Sequence, residues 1–391
     1  MKALALLLCL LLAGCASSPR ERAQDLAPLL HDAAFAPPSE PVGSAGLFAL
    51  SPAMRAYLKS PRFATYLRQR GSDQGLVDAL YEKGELQIEY DSTMTRTAAQ
   101  TYAARSGNCL SLVIMTAAFA KELGMPVRYQ SVEVADTWSR QGGLYLVSSH
   151  VNLSLGRRAT DLHGNAGERM LTIDFLPPQD MTGYRTRAIE ERDIVAMYLN
   201  NRAAEALVQD RIDDAYWWAR AAVLEHPGAG MAYNTLGVVH HRRGDVARAE
   251  RALRVALELE PDSLAPMQNL LPLLETLGRS AEAQALAARI ARLNPEPPYH
   301  FFDEGMKAWA AGDYRKAKAL FAREVKRAPE SDEFHLWLAL AHLRLGETAP
   351  AREQLALARE TSTRPDTRER YEAKLAQLKA LGASQAKAVT R

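Results

Sequence analysis

An almost unbroken apolar run follows Cys109 and ends at Leu123. Apolar residues fill nearly every position of this run instead of forming one helical stripe. The pattern therefore predicts a helix that is buried on most sides. Gly124 and Pro126 come directly after the run, where a helix is expected to end. The stretch thus predicts one central buried helix with a cysteine at its start.

The hydrophobic pattern changes to strict alternation after this helix. Residues 145–155 place apolar side chains on one face and mostly polar side chains, including His150, on the other. Residues 170–175 alternate in the same way and place Asp174 on the polar face. A period of two predicts β-strands with one buried face. We therefore expect His150 and Asp174 to project from the polar faces of two successive strands.

A different regularity occupies the second half of the chain, where three residue types recur every 34 positions. These residues are Pro227, Pro261, Pro295 and Pro329; Ala215, Ala249, Ala283, Ala317 and Ala351; and Gly244, Gly278, Gly312 and Gly346. This spacing is the period of tetratricopeptide repeats, in which each unit is a pair of antiparallel helices. The alanines permit close helix packing, the glycines cap the first helices, and the prolines end the second helices.

The resemblance to tetratricopeptide repeats covers residues 196–365 and predicts an all-α solenoid of five units. The units are 196–229, 230–263, 264–297, 298–331 and 332–365. An amphipathic segment follows at residues 366–382. It is expected to be a helix that caps the open end, because the last unit of a solenoid otherwise exposes its apolar face.

By resemblance to this family, the fifth position of each unit faces a concave groove. Those positions are Asn200, Asn234, Gln268, Phe302 and Leu336, and the same groove is expected to include His241, Arg242, Glu275, Trp309 and Arg344. The resemblance implies that the groove binds a peptide or a partner protein. The alternative is that the protein's own N-terminal region fills the groove.

The first residues of the chain predict export. Met1-Lys2 precedes an apolar stretch at residues 3–13, which is too short to span a membrane as a mature helix. The motif Leu12-Ala13-Gly14-Cys15 resembles the lipobox of bacterial lipoproteins. That resemblance implies removal of residues 1–14 as a signal peptide and acylation of Cys15. The alternative is a plain secreted protein.

The residue after the lipobox cysteine bears on location. It is Ala16, not the aspartate that in lipoproteins implies retention at the inner membrane. The resemblance therefore implies a protein anchored in the bacterial outer membrane and facing the periplasm. Residues 15–45 are rich in Ala, Ser and Pro, and this composition predicts a lipid-anchored tether.

Composition and charge exclude some classes of partner. The formal net charge is +2 and no basic block is present, so nucleic acid is not an expected partner. No cofactor is expected either. Of the three cysteines, Cys9 and Cys15 lie in the export signal. Cys109 is therefore the only thiol of the folded part of the chain.

A lone cysteine at the start of a buried helix has two interpretations. Its sulfur lies near unpaired backbone N–H groups and the positive end of the helix dipole, a setting that favours the reactive thiolate. Alternatively, Cys109 is a small buried hydrophobic residue, because free cysteine is among the most buried residue types.

One arrangement in the chain resembles the transglutaminase-like fold of the papain-type superfamily. It consists of the motif Arg105-x-Gly107-x-Cys109, a helix that ends at Gly124, and His150 and Asp174 on successive strands. The resemblance covers roughly residues 75–185 and implies an α+β domain, bounded here at 46–190. It implies that Cys109 is the nucleophile, His150 the base that activates it, and Asp174 the group that orients the imidazole.

The chain departs from that family at one place. Many members have an aromatic residue shortly after the histidine, whereas His150 is followed by Val151, Asn152 and Leu153. Backbone N–H groups near Cys109 are the candidates for oxyanion donors. Cys109, His150 and Asp174, with His163, could instead bind zinc. No metal is predicted, because these residues are not close in sequence as the ligands of structural zinc sites are.

The sequence therefore predicts an α+β transglutaminase-like domain followed by an all-α tetratricopeptide-repeat solenoid. The preferred function is cysteine-dependent acyl chemistry on a peptide or protein amide, as a protease, amidase or acyl transferase. The alternative is a non-catalytic adaptor of the cell envelope that binds proteins through the repeats and has a degenerate transglutaminase-like domain.

Overall fold

The computed structural model describes residues 26–82, 86–141, 144–157, 170–175, 185–296 and 299–389. Contacts divide the chain into two compact units. One unit consists of residues 1–47, 128–150 and 183–290, and the other of residues 48–127, 151–182 and 291–391. None of the helices in the described ranges is long and apolar enough to cross a bilayer. The predicted signal peptide, Cys15 and His163 lie outside the described residues.

Short helices and one pair of parallel strands form the region from Pro52 to Glu122. They are α1 (Pro52–Leu58), α2 (Pro61–Arg70), α3 (Ser72–Tyr81), β1 (Glu89–Tyr90), α4 (Ala98–Ala104), β2 (Ser106–Gly107) and α5 (Cys109–Glu122). Ser51 and Ser60 cap α1 and α2, each before a proline at the first helical position. Both residue types favour helix initiation at these places.

Helix α5 is the buried helix that the apolar run predicts. Every residue from Cys109 to Ala120 is buried. A polar residue inside this stretch, Thr116, is paired with the Tyr81 hydroxyl at 2.6 Å, so its burial leaves no hydroxyl unsatisfied. Gly124 follows the helix with a φ of +69°, a left-handed conformation that ends helices. The predicted helix and its end are confirmed.

Four strands form a sheet in the order β5-β4-β3-β6. They are β3 (Val127–Gln141), β4 (Leu144–Leu155), β5 (Leu171–Ile173) and β6 (Arg185–Ile189). Strand β5 is antiparallel to β4, with Leu153 opposite Ile173. Strand β6 is antiparallel to β3, with Tyr129 opposite Ile189.

The strands agree with the sequence pattern in part. Strand β4 coincides with the alternation at residues 145–155. The strand expected at 170–175 is shorter in the structure, and Asp174 is the first residue after it. Strand β3 is absent from the sequence prediction because its apolar residues change phase between Tyr129 and Val132, so no continuous alternation marks it.

Ten helices between residues 191 and 361 form five successive pairs. They are α6 (Glu191–Val208) with α7 (Ile212–Glu225), α8 (Gly230–Arg243) with α9 (Val246–Leu259), α10 (Leu264–Thr276) with α11 (Ser280–Leu293), α12 (His300–Ala310) with α13 (Tyr314–Arg327), and α14 (Asp332–Arg344) with α15 (Thr348–Thr361). These pairs confirm the predicted all-α repeat region.

Left-handed residues separate the two helices of a pair. Gly244, Gly278, Gly312 and Gly346 have φ values between +70° and +84°. The prediction that these glycines cap the first helices is confirmed. The first repeat has Asp210 at the equivalent position, with a φ of +58°. Aspartate is one of the few residues besides glycine that adopt this conformation routinely.

Glycine also sets the spacing within helix pairs. A Cβ atom added at Gly237 of α8 would lie 2.7 Å from Leu253 Cγ of α9. A Cβ added at Gly305 of α12 would lie 2.5 Å from Phe321 Cε1 of α13. Neither distance leaves room for a methyl group. An added side chain would force neighbouring side chains or backbone to move. The missing side chains therefore allow the two helices of these two pairs to approach closely.

A last helix, α16 (Pro365–Val389), follows the fifth repeat. Its Tyr371 and Leu375 side chains are buried against Ala339 of α14 and against α15. These contacts remove from water apolar surface that the last repeat would otherwise expose.

Residues 26–47 differ from the expectation of a tether over residues 15–45. They contain two 3-10 turns, Ala27–Leu29 and Asp32–Ala34. Their buried side chains are Leu26, Leu29, Phe35 and Leu47. The Ala-rich and Pro-rich composition suggested a solvated chain, but a few apolar side chains at intervals are sufficient to dock an extended segment whose prolines already restrict it.

Candidate functional site

Three polar residues occupy the predicted groove positions of the first three repeats. Asn200 lies on α6, Asn234 on α8 and Gln268 on α10, so each belongs to the first helix of its pair. All three are partly exposed. The same position holds the buried Phe302 in the fourth repeat and the half-buried Leu336 in the fifth. The polar part of this row is thus confined to the first three repeats.

The amide oxygens of this row are unevenly satisfied. Asn234 Oδ1 accepts a hydrogen bond of 2.8 Å from Asn269 Nδ2. Asn200 Oδ1 and Gln268 Oε1 are buried and accept no hydrogen bond within the described part of the chain. A buried acceptor without a donor destabilises the fold by roughly 1–3 kcal/mol. Both oxygens are inaccessible to solvent here, so an N–H donor from a ligand would reach them only after the amide side chain rotates, and the new hydrogen bond would then remove an unfavourable feature.

His241 and Arg242 lie in the last turn of α8 and are both exposed. Arg242 Nη1 lies 3.4 Å from Asp210 Oδ1. An ion pair at the surface contributes only about 0–1 kcal/mol. A carboxylate of a bound ligand could therefore replace Asp210 beside this guanidinium with little loss of stability.

Aromatic side chains replace the amides in the later repeats. The Trp309 ring lies 5.5 Å from the Trp337 ring and 5.0 Å from the Tyr314 ring, both in edge-on contacts. The Arg344 guanidinium lies 5.6 Å from the centre of the Trp309 ring, within the range of a cation–π interaction. Trp309 and Arg344, two predicted groove residues, are therefore neighbours in the structure.

Cys109 is the first residue of α5, as the sequence predicts, and only 8% of its surface is exposed. Asn108 caps the helix: its Oδ1 accepts hydrogen bonds from the backbone N–H of Ser111 at 2.9 Å and from the Ser111 hydroxyl at 2.7 Å. Asn108 Nδ2 donates to the Thr95 hydroxyl at 2.8 Å. A side chain of the protein thus already occupies part of the positive end of this helix.

Tyr90 lies against the same helix start. The pairing of β1 with β2 places Tyr90 opposite Gly107, two residues before the cysteine. Burial and the neighbouring Cys109 raise the pKa of Tyr90 above its ordinary value, so the phenol stays neutral. Of the backbone N–H groups near Cys109, that of Ser111 already has an acceptor within the protein, Asn108 Oδ1.

A buried ion pair fixes the loop that precedes α4. Arg96 Nη2 lies 3.0 Å from Asp91 Oδ2, and both side chains are largely buried. Burial raises the pKa of Asp91, but the hydrogen bonds from Thr93 and the Arg96 guanidinium lower it by more, so the pKa lies below its usual range. The Arg96 backbone N–H donates to the Ser111 hydroxyl at 2.9 Å, which ties this loop to α5.

The two other predicted catalytic residues lie in the sheet. His150 belongs to β4 and is 4% exposed. Asp174 follows β5 and accepts a hydrogen bond of 3.0 Å from Asn152 Nδ2, two residues beyond the histidine. The structure thus brings Asp174 to Asn152, whose role the sequence did not reveal. The arrangement of Cys109, His150 and Asp174 as a triad stays a prediction.

A cavity of about 520 Å³ opens beside Tyr90. Glu89 and Asp91 line it together with Arg105 and Arg368, so its wall carries both signs of charge. Cys109 is not among the described residues that line this cavity. In the same described ranges, no three His, Cys, Asp or Glu side chains cluster closely enough to hold a metal ion.

The comparison with known families agrees with the helix pairs. The tetratricopeptide-repeat family model matches residues 200–263 and 302–365. The C-terminal region of the chain therefore contains tetratricopeptide repeats. No curated protein sequence matches the chain.

Three solved structures are each similar to a little under half of this chain. PilF of Pseudomonas aeruginosa is 19% identical, with 48% of this chain and 94% of that chain covered and a TM-score of 0.28. A thermophilic repeat protein of Thermus thermophilus is 21% identical, with 46% and 98% covered and a TM-score of 0.30. YrrB, described as having an unusual peptide-binding site, is 18% identical, with 47% and 94% covered and a TM-score of 0.26.

Proposed function

We propose that the protein is a non-catalytic adaptor that binds an extended segment of a partner protein through its tetratricopeptide repeats. Stacked repeats present one continuous row of first helices, and such rows recognise extended peptides and helices. The polar row at Asn200, Asn234 and Gln268 is the binding surface that we assign to this function.

The two unsatisfied oxygens, Asn200 Oδ1 and Gln268 Oε1, are the observation that carries the proposal. An extended peptide offers backbone N–H groups at regular intervals, and these are the donors that such amide oxygens lack. Amide side chains that bind main-chain groups give affinity for many sequences. Selectivity would then come from His241 and Arg242.

Peptides selected on the protein test this assignment. We expect a phage-displayed library of twelve-residue peptides to yield binders whose affinity falls about tenfold or more in the Asn200→Ala/Gln268→Ala variant. The reason is that each lost hydrogen bond contributes about 0.5–1.5 kcal/mol. Isothermal titration calorimetry measures this loss.

The matched control for this variant is Gln284→Ala, at an exposed position of the second helix α11. It should leave affinity unchanged, and neither variant should melt far below the native protein. Equal binding of the selected peptides to the native protein and to the double variant would show that this polar row is not the site.

We also propose that a lipid on Cys15 anchors the adaptor to the outer membrane, with the repeats in the periplasm. The lipobox and Ala16 support this location. Substituting Cys15→Ser should move the protein from the membrane fraction to the soluble fraction of a bacterial host, because several acyl chains are needed for durable anchoring. Immunoblotting of washed membranes measures the shift. Retention of the variant in those membranes would show that a lipid on Cys15 is not the anchor.

Cysteine-dependent acyl chemistry is the second candidate function, through Cys109, His150 and Asp174 in the transglutaminase-like domain. One observation supports it: Asn152 donates a hydrogen bond to the Asp174 carboxylate. A carboxylate that orients an imidazole has to be fixed in place, and this bond would do so. Two observations support the adaptor instead. The Ser111 N–H near Cys109 already donates to Asn108, and Cys109 is nearly inaccessible.

Alkylation of Cys109 by iodoacetamide separates the two functions. For the adaptor, we expect slow alkylation at every pH from 5 to 9 until denaturant unfolds the protein, because the buried sulfur is not reached. For the enzyme, the rate would reach a plateau below the value of about 8.5 at which a free thiol titrates, and His150→Ala would abolish that plateau. Mass spectrometry of the labelled protein measures the rate.

A further inference from the structure

The N-terminal segment, residues 28–40, lies on the first two repeats. Its polar contacts reach side chains of α6, α7, α8 and α9 that are between 162 and 223 residues away in sequence. Apart from its 3-10 turns the segment has no secondary structure of its own. It is thus a peptide with two short turns, one of them between Asp32 and Phe35, held by a repeat surface, and the proposed function makes no use of it.

An aromatic ring anchors the middle of the segment. Phe35 stacks on Tyr216 of α7, with ring centres 3.8 Å apart and planes within 1° of parallel. The His240 ring of α8 contacts Phe35 edge-on at 5.9 Å. The Arg243 guanidinium lies 5.3 Å from the Phe35 ring centre. Phe35 is 6% exposed, so this pocket encloses nearly the whole side chain.

A carboxylate anchors the segment three residues before the ring. Asp32 Oδ1 accepts a hydrogen bond of 2.5 Å from the Tyr216 hydroxyl and one of 2.9 Å from Arg220 Nε. The Tyr216 oxygen accepts the His31 backbone N–H at 2.8 Å. Burial and the bond to Asp32 raise the pKa of Tyr216 above its ordinary value, so the phenol keeps the proton that it donates. One tyrosine therefore contacts both anchors.

Side chains of the repeats also bind the main chain of the segment. Four of its carbonyl oxygens accept hydrogen bonds from side chains of α7, α8 and α9. The pairs are Pro28 with Arg251, Leu29 with His240, Ala34 with Arg243, and Ala36 with Trp217. Burial lowers the pKa of His240, which is therefore neutral and donates from Nε2 to the Leu29 carbonyl. Such main-chain contacts suit any extended peptide of the right length.

The end of the segment is held by charged groups. The Ser39 N–H and hydroxyl both donate to Asp214, each at 2.7 Å. Glu40 Oε1 lies 2.7 Å from Arg202 Nη2, and this arginine is 7% exposed. The surface therefore places a cation beside each carboxylate of the segment and a carboxylate beside its free N–H groups.

We propose that this surface of the first two repeats is a second peptide-binding site, which recognises an aspartate three residues before a phenylalanine, and that the N-terminal segment is its exchangeable occupant. The ligand of the site is a segment of a partner protein with the same Asp-x-x-Phe spacing, in the same turn that residues 32–35 form here. Covalent attachment gives the resident segment only a finite effective concentration, at most on the order of millimolar. A partner segment present at a comparable effective concentration displaces it.

The test uses a fluorescein-labelled synthetic peptide with the sequence of residues 26–42 and the full-length protein. The Asp32→Ala/Phe35→Ala variant removes both anchors of the resident segment and leaves the surface itself unchanged. We expect fluorescence anisotropy to give a Kd at least tenfold lower for this variant than for the native protein, because the native segment competes with the probe. The same peptide with alanine in place of phenylalanine is the matched control and should bind at least tenfold more weakly.

A second variant covers the case in which the double substitution disturbs folding. Asp32→Asn keeps the phenylalanine and weakens only the carboxylate anchor, so it should lower the Kd by a smaller factor, about threefold. Adding Arg220→Ala to either variant should weaken probe binding. Equal Kd values for native protein and both variants, or equal binding of the two peptides, would overturn the proposal. So would a native dimer in light scattering that dissociates in the double variant, because the occupant would then be a second copy of the chain.

Discussion

The close approach of the two helices within a repeat, shown in the second and fourth repeats, is the constraint on which these helix pairs depend. At Gly237 and Gly305 the facing helix occupies the space where a Cβ would lie. The buried alanines Ala249 and Ala317 on the second helices are as small as this approach requires. A helix pair packed this closely has two different faces, one from its first helix and one from its second. Stacking the pairs repeats each face along the region.

The protein uses two surfaces of its first three repeats in different ways. On the first helices, the row at Asn200, Asn234 and Gln268 includes two buried oxygens that lack donors. On both helices of the first two repeats, Tyr216 and its neighbours already hold another piece of the chain, the N-terminal segment. The occupied surface shows how this region contacts a peptide: cations and ring N–H groups bind carbonyl oxygens, and one pocket encloses an aromatic ring. The sequence left open whether the N-terminal region fills the groove. In the structure, the hydrogen bonds of the N-terminal segment go to side chains other than those of the polar row.

Features set by local sequence could be predicted. The 34-residue period fixed the helix pairs, and the continuous apolar run fixed α5 together with its end at Gly124. Strand β3 could not be predicted because its alternation changes phase near Tyr129. The docking of Phe35 on Tyr216 joins residues that are far apart in sequence, and no local pattern encodes such a contact. The position of Tyr90 opposite Gly107 depends on the β1–β2 pairing in the same way, so the sequence could suggest a reactive cysteine but not the phenol that lies near it.

Hydrogen exchange of the N-terminal segment tests most directly whether the repeats hold this peptide. The backbone N–H groups of His31, Ala36 and Ser39 donate to Tyr216, Asp213 and Asp214. In the native protein, we expect these amides, followed in a proteolytic fragment that covers residues 28–40, to exchange much more slowly than they would in an unfolded chain. We expect Phe35→Ala to accelerate their exchange without changing that of α8. Exchange of the native segment at the unfolded rate would show that the repeats do not hold it.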